Sequence, residues 1–133
     1  MVCRWKLHLS PEGAQSGLPP LPPHKTAVEV LADYLRYLHE CARRYISDVH
    51  GANLWADLEA DIPYILTHPN GWHGLPQAKM REAAIIARLI PDTEAGRSRI
   101  SFVTEGEASL HFCLSNGMSV EVCVIGTHCV PSR

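Results

Sequence analysis

Two short β-forming runs, residues 62–67 (IPYILT) and 100–104 (ISFVT), are separated by enough chain to hold a helix. This spacing constrains the fold more than any other feature. Strands joined by a crossover of a dozen or more residues pair in parallel, with the crossover helix laid on one face. Residues 75–90 (LPQAKMREAAIIARLI) supply that helix. Pro76 suits its first turn, and Met80, Ala83, Ala84, Ala87 and Ile90 form a narrow face of mostly small residues. Pro91 is the predicted stop. The first run is continuously apolar, which predicts a strand covered on both faces, with Pro63 tolerable only at its start or on an unpaired edge. His68-Pro69-Asn70-Gly71 follows it as turn chemistry. Residues 92–99 read as a polar loop around Gly96. A third helix is predicted over 108–115, entered through Glu105-Gly106-Glu107 and closed by Asn116-Gly117. Parallel pairing sets Pro69-Asn70-Gly71 beside Thr104-Glu105-Gly106 at the carboxyl ends of the strands. That edge is where open α/β sheets bind ligands.

A long amphipathic helix precedes this unit. Thr26-Ala27-Val28-Glu29 is a capping box, and Val28, Leu31, Leu35, Leu38, Ala42, Tyr45 and Val49 recur at helical steps as one apolar stripe. Asp33, Arg36, Glu40, Arg43 and Arg44 lie mostly off the stripe, and Gly51 stops the helix. Residues 52–61 read as a short helical turn or loop around Trp55 and Leu58. Residues 3–9 (CRWKLHL) alternate weakly, as a short strand or an extended arm. Residues 18–23 (LPPLPP) are barred from helix and read as a stiff spacer, or as a ligand for an aromatic-lined groove. The expected division is a Pro-rich extended arm or linker over 1–25, a folded part over 26–117, and a tail over 118–133. A folded part this small leaves much apolar surface uncovered.

Composition excludes several functions. Twelve Lys and Arg face fourteen Asp and Glu, for a formal charge of −2, so there is no basic footprint for nucleic acid. No apolar run is long enough to span a membrane, and the amino-terminal residues lack the apolar core of a signal peptide. The expected compartment is the cytoplasm. Its reducing conditions leave the five cysteines as thiols. No Gly-x-Gly occurs, so the chain has neither a Walker-type loop nor a dinucleotide fingerprint. Cys123, His128 and Cys129, with His111 and Cys113 upstream, lack paired Cys-x-x-Cys spacing and read as scattered histidines and buried thiols rather than a metal site. Cys41 and Cys113 read as packing residues. Glu105 and Glu107 complement a helix dipole, and Glu105 is also a functional candidate by its place in the predicted crevice.

The stretch 64–114 resembles part of the actin-like ATPase domain of the heat shock protein 70 family, most closely the divergent heat shock protein 12A-like branch. Three segments carry it: Ile65-Leu66-Thr67-His68-Pro69-Asn70-Gly71-Trp72, Gln77-Ala78-Lys79-Met80-Arg81-Glu82-Ala83-Ala84, and Phe102-Val103-Thr104-Glu105-Gly106-Glu107-Ala108-Ser109-Leu110. Their order and spacing agree with the family's strand, helix and strand, and the helix from Thr26 resembles the one preceding them. The resemblance implies an α/β fold: a partial actin-like ATPase (ribonuclease H-like) lobe with a parallel βαβ unit and a long amino-terminal amphipathic helix. It implies a relay role for Pro69, and a place for Glu105 near the magnesium-bound water and nucleotide. Gln77 stands where the family has a relay arginine, and Gly106 where it has a proline. Both phosphate loops, the catalytic lysine and the adenosine-binding glycines are missing. The family uses ATP and magnesium; neither is expected to bind this chain tightly.

Two functions are expected from this. One is a fragment of an ATP-binding chaperone domain, inactive alone and completed by the missing parts of its own domain or by a protein partner. Residues 118–133 do not resemble the family and read as a strand or as a non-native tail of a gene-model fragment. The alternative is a small non-enzymatic binding protein that docks a partner through an exposed sheet face or the LPPLPP segment.

Overall fold

A computed structural model describes residues 5–10 and 17–117. The elements are a 3-10 turn, Trp5–Leu9; helix α1, Ala27–His50; α2, Ala52–Leu58; strand β1, Tyr64–His68; α3, Leu75–Ile86; α4, Glu94–Ser98; β2, Ile100–Thr104; and α5, Glu105–Ser115. The chain is mixed α/β. β1 and β2 pair in parallel from Tyr64 opposite Ile100 to His68 opposite Thr104, with α3 as the crossover. The tail over 118–133, with Cys123, His128 and Cys129, lies outside the described residues, as do residues 1–4.

Helix α1 starts as expected. The Thr26 hydroxyl accepts from the Glu29 N–H at 3.2 Å, and the Glu29 carboxylate accepts from the Thr26 N–H at 2.8 Å. Both otherwise unpaired groups at the helix start are thereby satisfied. The apolar stripe is only half used. Leu31 and Leu35 are buried together with Ala32, whereas Leu38, Tyr45 and Val49 are exposed. The physical reason is geometric: α1 packs on α3, α2 and the 3-10 turn, and these together cover too little of the stripe to bury Leu38, Tyr45 and Val49. Cys41 is exposed for the same reason, not packed.

The core joins Leu31, Ala32 and Leu35 of α1 to Met80, Ala83 and Ala84 of α3, with Trp72, Leu89, Ile90 and Ile100. All five residues expected on the inner face of the crossover helix are buried, but the helix ends at Ile86 rather than Ile90. A Schellman motif stops it before Pro91. The Leu89 N–H donates to the Ala84 carbonyl at 3.0 Å and the Arg88 N–H to Ile85 at 2.9 Å, while Arg88 takes a left-handed φ of 64°. Residues 92–99, expected as loop, hold α4 instead. Thr93 caps it, and Gly96 is buried where an added Cβ would lie 2.2 Å from the Pro91 carbonyl oxygen.

Two further expectations are corrected. The amino-terminal segment is neither strand nor extended arm where it is described: residues 5–9 form a 3-10 turn whose Leu9 is 1% exposed in the core. Apolar anchorage outweighs weak alternation here, because one buried leucine contributes about 1.5–3 kcal/mol. Nor is β1 covered on both faces. Tyr64 and Leu66 pack toward the core, while Ile65 is 67% exposed. Residues 18–22 are free of helix as expected, with the His8 Nε2 donating to the Pro19 carbonyl at 3.0 Å.

The half-used stripe is expected to show in stability. Leu35→Ala removes a buried side chain and should cost ~2–5 kcal/mol, whereas Leu38→Ala should cost under ~1 kcal/mol. Urea denaturation of both variants checks this, and equal losses would contradict the packing of α1. Gly96→Ala should destabilise by roughly 1–3 kcal/mol, since the new methyl meets backbone rather than a movable side-chain tip. An unchanged denaturation midpoint would contradict that close approach.

Candidate functional site

The register places the two expected loops together. His68 ends β1 opposite Thr104 at the end of β2, so Pro69-Asn70-Gly71 and Thr104-Glu105-Gly106 leave the sheet side by side. Pro69 begins a tight turn in which the Trp72 N–H donates to its carbonyl at 3.3 Å, and Gly71 takes the positive φ of 82° that this turn needs. Trp72 is buried beneath it.

Thr104 caps α5 through a second capping box. Its hydroxyl accepts from the Glu107 N–H at 3.1 Å, and the Glu107 carboxylate accepts from the Thr104 N–H at 2.7 Å. These contacts hold the Glu107 carboxyl below its ordinary 4.5; the Thr104 N–H acts most strongly, then its hydroxyl. Glu107 therefore complements the helix start. Glu105, the resemblance-implied residue, is half exposed and ion-paired to Lys6. An exposed pair of this kind is worth at most about 1 kcal/mol. Lys6 also lines the groove beside Pro69, so the 3-10 turn bridges the two candidate residues. Gly106 has room for a side chain, its nearest neighbour being the Thr104 hydroxyl at 3.9 Å from an added Cβ.

Sequence reasoning did not weigh His68, the most buried ionisable group of this edge at 2% exposure. Its Nδ1 lies 2.8 Å from the Pro69 carbonyl, and its Nε2 lies 3.0 Å from the Gln77 amide nitrogen. One neutral tautomer satisfies both: Nδ1–H donates to Pro69, and Nε2 accepts from Gln77. Gln77, noted only as a departure from a relay arginine, thus orients His68, which orients Pro69. A histidine ending an apolar run just before a proline was the available signal. Its burial became visible only with the strand register.

An open groove of about 520 Å³ adjoins this edge. Leu31, Leu35 and Leu38 of α1 form one wall, Ile65 and Thr67 of β1 the other, and Pro69 and Trp72 one end. The Tyr64 N–H donates to the Arg99 carbonyl at 2.8 Å, toward β2. Strand alternation then turns the backbone groups of Ile65 and Thr67 outward, along the edge of β1 that is unpaired among the described residues.

A second polar cluster lies at the other end of the strands. The Tyr64 hydroxyl is 3.3 Å from His39 Nδ1, and His39 Nε2 is 3.7 Å from the Glu59 carboxylate. Burial pushes the Tyr64 phenol up, which suits a hydrogen-bond donor and not a nucleophile. Among the described residues no group of three or more His, Cys, Asp or Glu is placed to hold a metal ion, and no helix is long and apolar enough to cross a membrane. Cys113 is partly exposed rather than core.

Comparisons with known proteins returned no matching family model, no match among curated proteins and no matching solved structure.

The His68 arrangement has a direct check. Gln77→Leu leaves Nε2 buried without a donor and should cost ~1–3 kcal/mol. Nitrogen-15 spectra of the unsubstituted protein should show the proton on Nδ1; a proton on Nε2 would reverse the assignment.

Proposed function

We propose that this chain is a non-enzymatic binding module: a partial actin-like ATPase lobe of the heat shock protein 70 kind that does not use ATP alone. It acts by docking a strand from the missing parts of its own domain, or from a protein partner that supplies an equivalent strand. The observation that carries this is Ile65, 67% exposed in the middle of β1 beside an apolar groove of about 520 Å³. An unpaired strand edge supplies main-chain hydrogen bonds, and the adjacent groove takes alternate side chains, which is how an added strand is recognised. The Pro-rich segment suits docking less well, since Leu18, Pro19 and Leu21 are partly buried and the Pro19 carbonyl is engaged by His8.

Nucleotide chemistry is unsupported by the carboxyl edge as it stands. The capping box uses the start of α5, Lys6 is neutralised by Glu105, and no glycine loop offers converging amides. Glu105 without a phosphate cradle repels triphosphate, and through magnesium only a water-bridged contact remains. Pro69 and Glu105 keep their family roles only once the missing loops are supplied.

Calorimetric titration of the 133-residue chain with magnesium-ATP should show no binding tighter than about millimolar, and no hydrolysis should be detected. Micromolar binding would overturn the non-enzymatic reading. In parallel, the chain should bind a hydrophobic dye, and Ile65→Lys should reduce the signal. A dye-silent monomer with a sharp thermal transition would overturn the docking reading.

A further inference from the structure

Arg88 occupies the one position of the α3 terminus where its side chain is a disadvantage. In a Schellman turn the left-handed residue is usually glycine, because a Cβ at that φ crowds the following carbonyl. Arg88 holds φ 64° there, although both hydrogen bonds of the turn need only its backbone. Strained conformations of this sort persist where the side chain has work to do.

Arg88 lines an open cleft of about 580 Å³ between α1 and the end of α3. Two other arginines line the cleft, and both are engaged. Arg36 donates to Asp33 and to the Ile86 carbonyl, each at 3.0 Å. Arg43 grips Glu40 with two hydrogen bonds, at 2.7 and 2.8 Å. Arg43 and Arg44 hold the Glu40 carboxyl down at about 2, so it stays ionised and keeps Arg43 occupied. Glu59 faces His39 at 3.7 Å. Among the described residues, Arg88 has no acceptor for its side chain. With Arg36 paired to Asp33 and Arg43 to Glu40, Arg88 is the guanidinium of the lining left without a carboxylate partner among the described residues. Ile86, partly exposed, adds an apolar surface beside it.

We infer that this cleft binds a small organic monocarboxylate, whose carboxylate is taken by the planar fork of Arg88 and whose short apolar body lies on Ile86. A guanidinium matches a carboxylate through two parallel hydrogen bonds. The site is separate from the docking groove and does not depend on it.

Butyrate is the probe, titrated into the full chain at constant ionic strength and followed by amide spectra, with inorganic phosphate in a parallel arm. Butyrate should give saturable shifts at Ala87, Arg88 and Leu89. Arg88→Gly should weaken binding at least tenfold while raising the thermal midpoint by about 4 °C or more, because it relieves the turn. Loss of binding in a stabilised variant cannot be ascribed to misfolding. Arg88→Asn, which also tolerates the left-handed region, should lose binding alike. Butyrate shifts that fail to saturate, binding retained in either variant, or phosphate binding more tightly than butyrate would overturn the inference.

Discussion

Methyl-sized side chains set how closely α1 can approach α3. Ala32 on one helix and Ala83 and Ala84 on the other are fully buried, and Ala87 nearly so. No longer side chain fits there without pushing the helices apart. The larger residues, Leu31, Leu35 and Met80, then close around this contact. Every feature of the carboxyl edge depends on it. α3 carries Gln77, which orients His68, and α1 provides the wall of the groove along β1. Since the strands are short and, among the described residues, pair only with each other, the helix contact, more than the sheet, fixes where the loops sit.

Polar detail at the two ends of the sheet serves opposite ends. At the carboxyl edge nearly every polar group is satisfied internally: Thr104 by Glu107, Lys6 by Glu105, His68 by Pro69 and Gln77. Such an edge is rigid and offers little to a charged ligand. At the amino end, Arg88 remains open and the Trp55 indole N–H is buried without a partner. Unsatisfied groups are where a protein retains capacity for something outside itself.

What the sequence disclosed follows from how local each signal is. Both capping boxes rest on contacts three residues apart; the one at Thr26 is plain in the sequence, whereas at Thr104 the two glutamates also fit simple dipole complementarity. β2 was placed at Ile100–Thr104, and the pairing direction followed from the crossover length. The early end of α3 was hidden, because Pro91 is a visible stop whereas an arginine in a left-handed turn has no compositional mark. The exposure of Leu38, Tyr45 and Val49 was hidden too, since periodicity tells which residues share a face but not how much of that face is covered. The site was legible as a place, two adjacent loops, but not as chemistry. His68 acquires meaning only from partners on a neighbouring turn and helix.

Leu9 gives the fold a dependence that no local element has. The strand–helix–strand unit closes within a short span of chain, and α1 forms from its own turns. Leu9 instead enters the core from far away in sequence, and its carbonyl accepts from the Lys79 ammonium across 70 residues at 3.4 Å. Ordering this segment is entropically unfavourable, and Leu9, the long Lys79 hydrogen bond and the exposed Lys6–Glu105 pair repay only part of it. Kinetically, this places the amino-terminal turn last in folding and first in opening. The amides it shields should exchange with solvent well before those of α1 and α3. The core thus has a latch that can lift while the rest stays folded.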